Sequence, residues 1–514
     1  MHSLFDRSSL TISHTRIALV LFFVIFLFLL VFQLHPTMLD PDGFFHAKMG
    51  LLTAEQGYVK EFTQLPLTTL SEFWTDQHYI YHLASVPFVK LFDPLWGVKI
   101  FSVFLGALLG VTFFYVLKNF LNNPRSAFWW TLVLFSSAAF VLRLSQVKAQ
   151  PLALILFLLI ILSIYKNKYL WLALLSFIYV HAHGSFILVP LVIGWLFLFE
   201  IISSGISFSV VRKYMHLLFV SVVFITLGLL TQPTFPENLI FYFYQTIQIA
   251  ALRVGDLEIT GLEWGALSFI GWLRLLGPLF IPFIFLLSFT FFEKQKLTFQ
   301  VRYFIWLLIP FIFLTTHSVR HLEFFLPLFV IVLAMMWQSY EKSLTSYIRD
   351  VKRFIERFPV VFISITLLPA TWLLWSLLTI YNFHSLSAPS LYEYKSISNT
   401  INKRVPKDEL IVNTRWDMFP MLFYYTEHNY LVGMDPGFLY LADERFYSVF
   451  NRLRDESVVK DDIVNFLLKY NYNYVISSDA IYTDVLGIRL FSDETNFKKL
   501  YDDESHALYL LKKQ

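Results

Sequence analysis

The stretch that decides the fold is Ile17–Leu34, IALVLFFVIFLFLLVFQL, together with Met38–Gly50, MLDPDGFFHAKMG, which follows it closely. The first part carries no charge and is long enough to cross a bilayer as a helix. It lacks a small-residue cleavage site before the acidic stretch, so we predict a retained first membrane helix rather than a signal peptide. The second part places Asp40, Asp42 and His46 directly beyond that helix, at a membrane surface.

The composition of the whole chain supports a membrane protein. Of its 514 residues, 57% are hydrophobic and only 15% are charged. This is more apolar than a soluble protein of ordinary composition. The formal net charge of +3 comes from scattered basic residues, so we expect no nucleic-acid partner. The sequence has no cysteine, which excludes disulfides, thiolate catalysis and cysteine-ligated metal sites.

Apolar runs bounded by charge or proline predict a polytopic α-helical membrane protein with about 11 transmembrane helices. Two of the runs, 152–165 and 169–180, are short for a complete crossing. The segments are estimated at 17–34, 98–118, 127–142, 152–165, 169–180, 185–202, 217–231, 268–292, 302–316, 323–339 and 359–380.

Lysine and arginine in the connections predict the orientation, because they favour the cytoplasmic side. If the N-terminus is cytoplasmic, every predicted inside connection carries at least two basic residues. The inside connections up to the ninth segment contain Arg7, Arg16, Lys118, Arg125, Lys166, Lys168, Arg212, Lys213, Lys294, Lys296 and Arg302. We therefore expect an integral multi-pass protein, in a bacterial inner membrane, with its C-terminal part on the outer side.

The C-terminal part differs in character from the rest of the chain. Charges and turn residues become frequent after about residue 385, and short runs such as ELIVNT and YNYVISS alternate with helical stretches such as DDIVNFLLKY. We predict a transmembrane module over 1–384, with a first outer loop at about 35–97, and a small extracytoplasmic α/β domain over 385–514.

The predicted outer side collects the unusual polar residues, including eleven of the fourteen histidines. A scaffold protein does not need this asymmetry. The candidate site residues among them are Asp40, Asp42, His46, Asp76, His78, His82, Arg143, Lys148, His181, His183, Arg320 and His321.

Each of these residues also has a plain structural interpretation. Charged residues and histidines at helix ends are often interfacial anchors or solvated loop residues. His181 with His183 fits a turn pair, and Asp42 with His46, four residues apart, fits a simple surface pair on one helix face. Arg143 and Lys148 are harder to explain in this way, because they oppose the positive-inside tendency in a short connection.

Carboxylates beside basic residues at a membrane surface suit a particular kind of substrate. A carboxylate can deprotonate a hydroxyl as a general base, and arginine, lysine and histidine can neutralise a phosphate leaving group. A lipid-linked phosphosugar keeps its tail in the bilayer and its phosphate at the headgroup level. The outer-side residues therefore indicate a lipid-linked sugar donor as the substrate and membrane lipid as the surroundings.

The stretch DPDGFFHAK resembles the first-loop motif of the GT-C superfamily of membrane glycosyltransferases. It is most similar to the Asp-Pro-aromatic-aromatic-His pattern of oligosaccharyltransferase catalytic subunits. The resemblance implies a GT-C type membrane fold in which an acid of the first outer loop is catalytic or binds a metal. Counting back from His46 gives Asp42 as that acid, whereas the Asp-Pro pair gives Asp40. We take Asp42 first and Asp40 second.

Two further features refine the resemblance. Trp416 and Asp417 match part of the Trp-Trp-Asp motif with which oligosaccharyltransferases bind the acceptor peptide, but Phe419 and Pro420 depart from it. The second outer loop carries RLSQVKAQP where oligosaccharyltransferases carry an acidic Asp-x-Asp type motif. This departure favours metal-independent transfer from a polyprenyl monophosphate sugar. If a divalent metal is used as a cofactor, its ligands are expected among Asp42, Asp76 and His78.

The sequence therefore predicts an inverting hexosyl- or pentosyltransferase that moves a sugar from a polyprenyl-phosphate donor to an extracytoplasmic acceptor. Asp42 is the expected general base, with outer-side Arg, Lys and His residues holding the phosphate. Two other interpretations stay open: a transporter or flippase of lipid-linked sugars, and a non-catalytic membrane module. A transporter predicts charges near mid-bilayer, and the predicted segments carry almost none.

Overall fold

The computed structural model describes most of the chain at side-chain level. The described residues are 14–121, 123–251, 265–292, 297–357, 371, 374–382, 388–452, 460–478, 496–503 and 505–512. The first fifteen helices that we number are α1 His14–Gln33, α2 Asp42–Gln56, α3 Tyr79–Leu91, α4 Pro94–Leu121, α5 Pro124–Phe135, α6 Ala138–Ser145, α7 Gln150–Tyr165, α8 Tyr169–Ala182, α9 Leu188–Ser204, α10 Phe208–Leu230, α11 Glu237–Tyr242, α12 Phe269–Leu276, α13 Phe280–Phe292, α14 Phe299–His317 and α15 Leu322–Arg357.

Within the described residues, six helical segments are long and apolar enough to cross a membrane. The apolar segments of α4 and α15 are 72% and 83% buried, whereas those of α1 and α10 are 22% and 28% buried. A helix that is apolar all round and buried belongs to the interior of a bundle. We conclude that α4 and α15 form the centre of the helical bundle, and that α1 and α10 expose apolar faces that suit lipid.

The structure corrects two of the predicted segments. Segment 127–142 is not one helix, because α5 and α6 meet at Ser136 and Ser137 with a bend of 73°. The Ser137 hydroxyl accepts a hydrogen bond from the Phe140 amide and so begins a new helix. Segment 268–292 is divided into α12 and α13 at Gly277, which has φ of 46°. If α5 and α6 form one span, the described candidates number seven.

The predicted total of eleven helices therefore stays a prediction. Segments 152–165 and 169–180 correspond to α7 and α8, which are apolar but shorter than the six long segments. Segment 359–380 lies largely outside the described residues.

The chain after α15 contains the small mixed sheet expected from the sequence. Its strands are β1 Leu410–Asn413, β2 Asn429–Tyr430, β3 Tyr474–Ser478, β4 Phe497–Asp502 and β5 His506–Leu511, in the order β2-β1-β3-β5-β4. β1 pairs with β2 and β3 in parallel, while β5 pairs with β3 and β4 in antiparallel. The accompanying helices are Lys395–Arg404, Phe419–Tyr425, Pro436–Ala442, Glu444–Arg452 and Lys460–Lys469.

This C-terminal part packs directly on α2 and on the segment that follows it. The ring of Phe45 in α2 stacks on Phe423, with centroids 5.9 Å apart, and the Tyr430 amide donates to the Gln64 carbonyl over 2.8 Å. The main apolar core continues from the helical bundle into this part and includes Ile397 and Leu508. The boundary at 384/385 stays a prediction, because the core runs across it.

The loop that carries the two candidate acids is fixed from two sides. Lys99 of α4 donates to the carbonyl of Thr37 over 2.7 Å and also to that of His35. On the other side, the Met38 amide donates to Pro389, and the Leu391 amide donates to Pro36. A buried lysine that satisfies two backbone carbonyls holds the turn between α1 and α2 in place. The connection between α1 and α2 is therefore anchored on the N-terminal side of the two acids.

A close helix contact fixes α3, which carries His82. A Cβ atom placed on Gly97 of α4 would lie 2.5 Å from the Phe88 carbonyl oxygen and 2.9 Å from the Val89 Cα atom. Both atoms belong to the backbone, so any larger residue at position 97 would push α3 away from α4. Glycine at this position thus sets the distance between α3 and the rest of the bundle.

Candidate active site

A cavity of about 390 Å³ lies where residues 39–78, the α6–α7 connection and the C-terminal part meet. Nine of the residues proposed from the sequence line it, which makes it the candidate site. They are Asp40, Asp42, His46, Asp76, His78, Lys148, Arg320, Trp416 and Asp417. The remaining wall is largely apolar and includes Phe45, Trp74, Phe241, Met434 and Phe438.

Lys148 joins the two candidate acids at one edge of this cavity. Its Nζ atom lies 2.7 Å from Asp40 Oδ2 and 3.1 Å from Asp42 Oδ2. The side chain of Asp40 is 13% exposed and that of Asp42 is 33% exposed. Asp40 Oδ1 also accepts a hydrogen bond from the Asp42 amide, at the N-terminal end of α2. Asp40 is therefore held at both oxygens, whereas Asp42 is the more accessible carboxylate.

Local structure explains why Lys148 reaches these acids. The Gln33 side chain at the end of α1 donates to the Ser145 carbonyl over 2.6 Å. This bond ties the end of α6 to the helix that precedes the acidic loop. The Lys148 amide then donates to the Gln146 carbonyl in a tight turn before α7. The turn brings a side chain that is only 7% exposed against Asp40.

A buried hydrogen-bonded chain of three side chains reaches the cavity from α3. Asp76 Oδ2 accepts from His82 Nδ1 over 2.8 Å, and His82 Nε2 lies 2.8 Å from His46 Nδ1. Asp76 is 1% exposed, His82 is fully buried and His46 is 4% exposed. Asp76 is fixed further, because its Oδ1 accepts from the His78 amide and its own amide donates to the Tyr58 hydroxyl. We call Asp76, His82 and His46 the Asp-His-His chain.

The electrostatics of this region favour neutral histidines. Burial lowers the pKa of His46 well below its ordinary value, and the nearby His82, His78 and Lys148 act in the same direction. Burial also lowers the pKa of His78 to about 4. Moving an imidazolium out of water is unfavourable unless a carboxylate compensates it. We conclude that His46 and His78 are neutral near pH 7.

The C-terminal part supplies the opposite wall. Arg415 pairs with Asp417, with its Nε atom 2.9 Å from Asp417 Oδ1. Asp435 caps the following helix, because its Oδ1 accepts from the Gly437 amide over 2.8 Å. Burial raises the pKa of Asp435 to about 6, although the Gly437 amide and Arg320 oppose this shift. Asp435 is thus a carboxyl group that titrates close to neutral pH at the cavity wall.

The raised pKa of Asp435 predicts a pH-dependent stability effect. The folded protein binds this proton more tightly than the unfolded chain, whose carboxyl has the ordinary pKa of 3.8. The charge therefore begins to destabilise the fold near that pH, and the loss grows up to about pH 6 and then stays constant. Asp435→Asn keeps the capping oxygen and removes the charge. We expect its melting temperature to exceed that of the wild type by roughly 1 to 3 °C at pH 8 and by a much smaller amount at pH 4. Thermal unfolding at both pH values checks this, and an equal shift at both would contradict it.

Three residues proposed as phosphate or sugar ligands are engaged elsewhere. Arg143 does not line the cavity; its Nε and Nη2 atoms lie 3.2 and 3.1 Å from Glu323 Oε2. His181 lies on α8, with its Nε2 3.2 Å from the Thr231 hydroxyl. His321 follows Arg320 in a short 3₁₀ turn and is not part of the cavity wall.

His183 is not part of the cavity wall, but it contacts His78, which is. Its ring packs on that of His78, with centroids 5.1 Å apart. Its Nδ1 accepts from the amide of Ser185 over 3.1 Å, as expected for a turn before a helix. The interpretation of His183 as a turn residue thus describes its hydrogen bond to Ser185. Its ring also packs on the ring of His78.

The ion pair between Arg143 and Glu323 predicts a large effect on stability. The two side chains are 7% and 4% exposed, so removing the arginine takes the guanidinium partner from a buried carboxylate. We expect Arg143→Met to lower the free energy of unfolding by about 3 to 5 kcal/mol. Thermal unfolding of the purified protein checks this.

The double variant Arg143→Met/Glu323→Gln should recover most of that loss, because it removes both charges. The exposed pair of Lys407 and Glu427, 2.8 Å apart and 77% and 68% exposed, gives a matched control. Lys407→Met should change the stability by less than about 1 kcal/mol. If Arg143→Met and Lys407→Met lower the free energy of unfolding equally, the buried pair contributes no more to stability than the exposed pair.

A metal site does not emerge from these residues. Across the described part of the chain, no group of three or more histidine, aspartate or glutamate side chains is arranged to hold a metal ion. Asp76 accepts hydrogen bonds from His82 and from the His78 amide, and Asp42 forms an ion pair with Lys148. Asp42, Asp76 and His78 are thus not arranged as a set of metal ligands.

Some residues of the site were not recognisable from the sequence. Trp74, Phe241 and Phe438 line the cavity, but aromatic residues are frequent throughout this chain and give no local signal. Nothing in the sequence context of Glu323 identifies it as the partner of Arg143. The contact between His46 and His82 was also not predicted, because it depends on how α2 packs on α3.

Comparisons with known proteins support the fold. The sequence matches no family model and no curated protein. The structure is similar to ArnT from Cupriavidus metallidurans bound to undecaprenyl phosphate, with a TM-score of 0.59, 12% identity and coverage of 96% of this chain and 97% of that chain. It is also similar to the archaeal oligosaccharyltransferase AglB from Archaeoglobus fulgidus in complex with an inhibitory peptide and a dolichol-phosphate, with a TM-score of 0.57, 12% identity and coverage of 90% and 69%.

At 12% identity these similarities describe the fold and not the individual residues. They extend over the membrane helices and the C-terminal part together, because 96% of the chain is covered in the comparison with ArnT. In its fold, the chain therefore resembles ArnT and the oligosaccharyltransferase AglB, which agrees with the resemblance of its first-loop motif to oligosaccharyltransferase catalytic subunits.

Proposed function

We propose that this protein transfers a sugar from a polyprenyl-phosphate donor to an acceptor on the outer side of the membrane. The observation that carries the proposal is the pairing of Lys148 with Asp40 and Asp42 at the edge of a cavity of about 390 Å³. A carboxylate and an ammonium group side by side suit a reaction in which a hydroxyl loses a proton while a phosphate gains charge. The undecaprenyl phosphate bound to ArnT and the dolichol-phosphate bound to AglB support a lipid phosphate as the ligand class.

In the proposed step, the acceptor hydroxyl attacks the anomeric carbon and gives its proton to Asp42. A new carbon–oxygen bond forms on one face of the sugar while the bond to the phosphate oxygen breaks on the other. The electron pair of that bond leaves with the polyprenyl phosphate, so the configuration is inverted. Lys148 and Arg320 neutralise the departing phosphate, since both line the cavity and carry positive charge. Arg143 is paired with Glu323 within the helical bundle and does not contact the phosphate in this proposal.

The other cavity residues divide between donor and acceptor. His46, Asp76 and His78 form the wall that receives the sugar, with His82 behind them. Trp416, Asp417 and Asp435 form the C-terminal wall, and we assign them to the acceptor. We assign no direct substrate contact to His181, His183 and His321, which do not line the cavity. Hexosyl and pentosyl donors both fit this proposal.

The localisation follows from the same proposal. The N-terminus lies in the cytoplasm, and the cavity and the C-terminal domain face the outer side of a bacterial inner membrane. This orientation puts the cavity at the headgroup level, where a lipid-linked phosphate resides.

The test uses the full chain in lipid nanodiscs with a panel of undecaprenyl-phosphate sugars and a hydroxylated acceptor mixture. Release of undecaprenyl phosphate, unchanged by chelator, is the expected result for metal-independent transfer. Release that disappears with chelator would replace this mechanism by a metal-dependent one. Movement of the donor across the bilayer without release would favour a flippase, and no release or movement with any donor would overturn the proposal.

A further inference from the structure

The hydrogen bonds of the Asp-His-His chain determine which ring nitrogen of His46 carries a proton. A carboxylate only accepts hydrogen bonds, so His82 Nδ1 must carry the proton in its 2.8 Å bond to Asp76 Oδ2. A neutral His82 then has a bare Nε2, which can only accept. The donor in the 2.8 Å bond between the two rings is therefore His46 Nδ1. A neutral His46 with its proton on Nδ1 has a bare Nε2.

The bare Nε2 of His46 belongs to a residue of the cavity wall. His46 lines the cavity, and its Nε2 has no hydrogen-bond partner among the described residues. Fixed tautomers of this kind arise where a second group orients a functional imidazole. Three further charged or titratable groups act on His46, namely His78, Lys148 and His183, and none of them has a hydrogen bond to its Nε2 among the described residues.

We infer that His46 Nε2 selects donors by accepting a hydrogen bond from a hydroxyl or amine of the transferred sugar, and that Asp76 fixes this preference through His82. The inference rests on the proposed function and adds a specificity determinant to it. A group that can only accept, such as a fluorine or a carbonyl oxygen, would meet the lone pair of Nε2 at that position and be disfavoured. His46 is thus a substrate-positioning residue, and Asp76 and His82 position it in turn.

The structure predicts how the preference can be reversed. In Asp76→Asn the amide group can donate to His82 Nδ1, and the proton of each imidazole ring is then on Nε2 instead of Nδ1. His82 Nε2 would carry a proton and donate to His46 Nδ1, so His46 Nε2 would become a donor. A hydroxyl at that position can adapt by accepting, whereas a fluorine changes from disfavoured to tolerated.

The first measurement determines the tautomer of His46 directly. The ¹⁵N shifts of histidine in full-length labelled protein in nanodiscs distinguish protonated from bare ring nitrogens, and the resonances that vanish in His46→Gln identify His46. We expect a protonated Nδ1 and a bare Nε2 in the wild type at pH 7.5, and the reverse in Asp76→Asn. Asp93→Asn, the same change at an exposed helix cap, is the control and should leave His46 unchanged. A protonated Nε2 in the wild type would overturn the inference.

The second measurement is binding of undecaprenyl-phosphate hexose and its singly deoxyfluorinated analogues. One analogue should bind the wild type roughly tenfold more weakly than the parent, which corresponds to the loss of one hydrogen bond, and this penalty should shrink in Asp76→Asn. Equal penalties in the wild type and in Asp76→Asn would overturn the role of Asp76. If the wild type does not prefer any glycosylated lipid over undecaprenyl phosphate alone, the proposed function itself fails, while the ¹⁵N result still decides the tautomer.

Discussion

Replacing Asp42 by asparagine is expected to reduce the release of polyprenyl phosphate by roughly 10² to 10⁴-fold, the usual contribution of a general base. Asparagine has nearly the same shape as aspartate and does not remove a proton from a hydroxyl. It keeps the start of α2 intact, because the capping oxygen comes from Asp40. Donor affinity should be preserved, since removing one carboxylate also removes repulsion from the donor phosphate. Turnover and donor binding, measured on the same preparation, check both parts.

A matched control for this change lies on the same helix. Glu55 is an exposed acid near the far end of α2, and Glu55→Gln removes the same charge without touching the cavity. We expect this variant to retain wild-type turnover. Asp40→Asn separates the two candidate acids: it should lose less activity than Asp42→Asn, because Asp40 is engaged at both oxygens. If Asp40→Asn loses more, the general base is Asp40 and our assignment is wrong.

The second large effect is expected from Lys148→Met. Methionine fills similar volume, but it leaves Asp40 and Asp42 side by side without the ammonium group that now lies 2.7 and 3.1 Å from them. The donor phosphate then loses a cation and meets two uncompensated carboxylates. We expect the affinity for undecaprenyl phosphate to fall about 10- to 100-fold, consistent with the loss of one charge-assisted hydrogen bond. Equilibrium binding of undecaprenyl phosphate measures this directly.

Two companion variants make the interpretation specific. Lys60 is an exposed lysine between α2 and α3, and Lys60→Met should leave binding unchanged. The double variant Lys148→Met/Asp40→Asn restores the balance of charge and should recover part of the affinity. Undiminished binding by Lys148→Met would remove Lys148 from the phosphate site. Failure of the double variant to recover any affinity would indicate that direct contact, and not charge balance, is what the phosphate requires.

The sequence predicted the class of fold well because that information is local. An uncharged run such as Ile17–Leu34 identifies a membrane helix without any knowledge of its neighbours. The same holds for β1 and β3, which were recognised from the runs ELIVNT and YNYVISS. The breaks within the predicted segments 127–142 and 268–292 were missed, because a serine pair or a Gly-Pro step does not interrupt an apolar composition.

The sequence by itself determined that this is a membrane protein with acids, histidines and bases gathered on one predicted side, since composition and spacing depend only on neighbouring residues. Only the tertiary structure decided how those groups pair. Arg143 and Lys148 are five positions apart, yet one is neutralised by Glu323 within the bundle and the other bridges Asp40 and Asp42 at the cavity. His46 likewise obtains its tautomer from Asp76 through His82. Charge pairing is decided by helix packing, which brings together residues far apart in the chain and leaves no trace in local sequence.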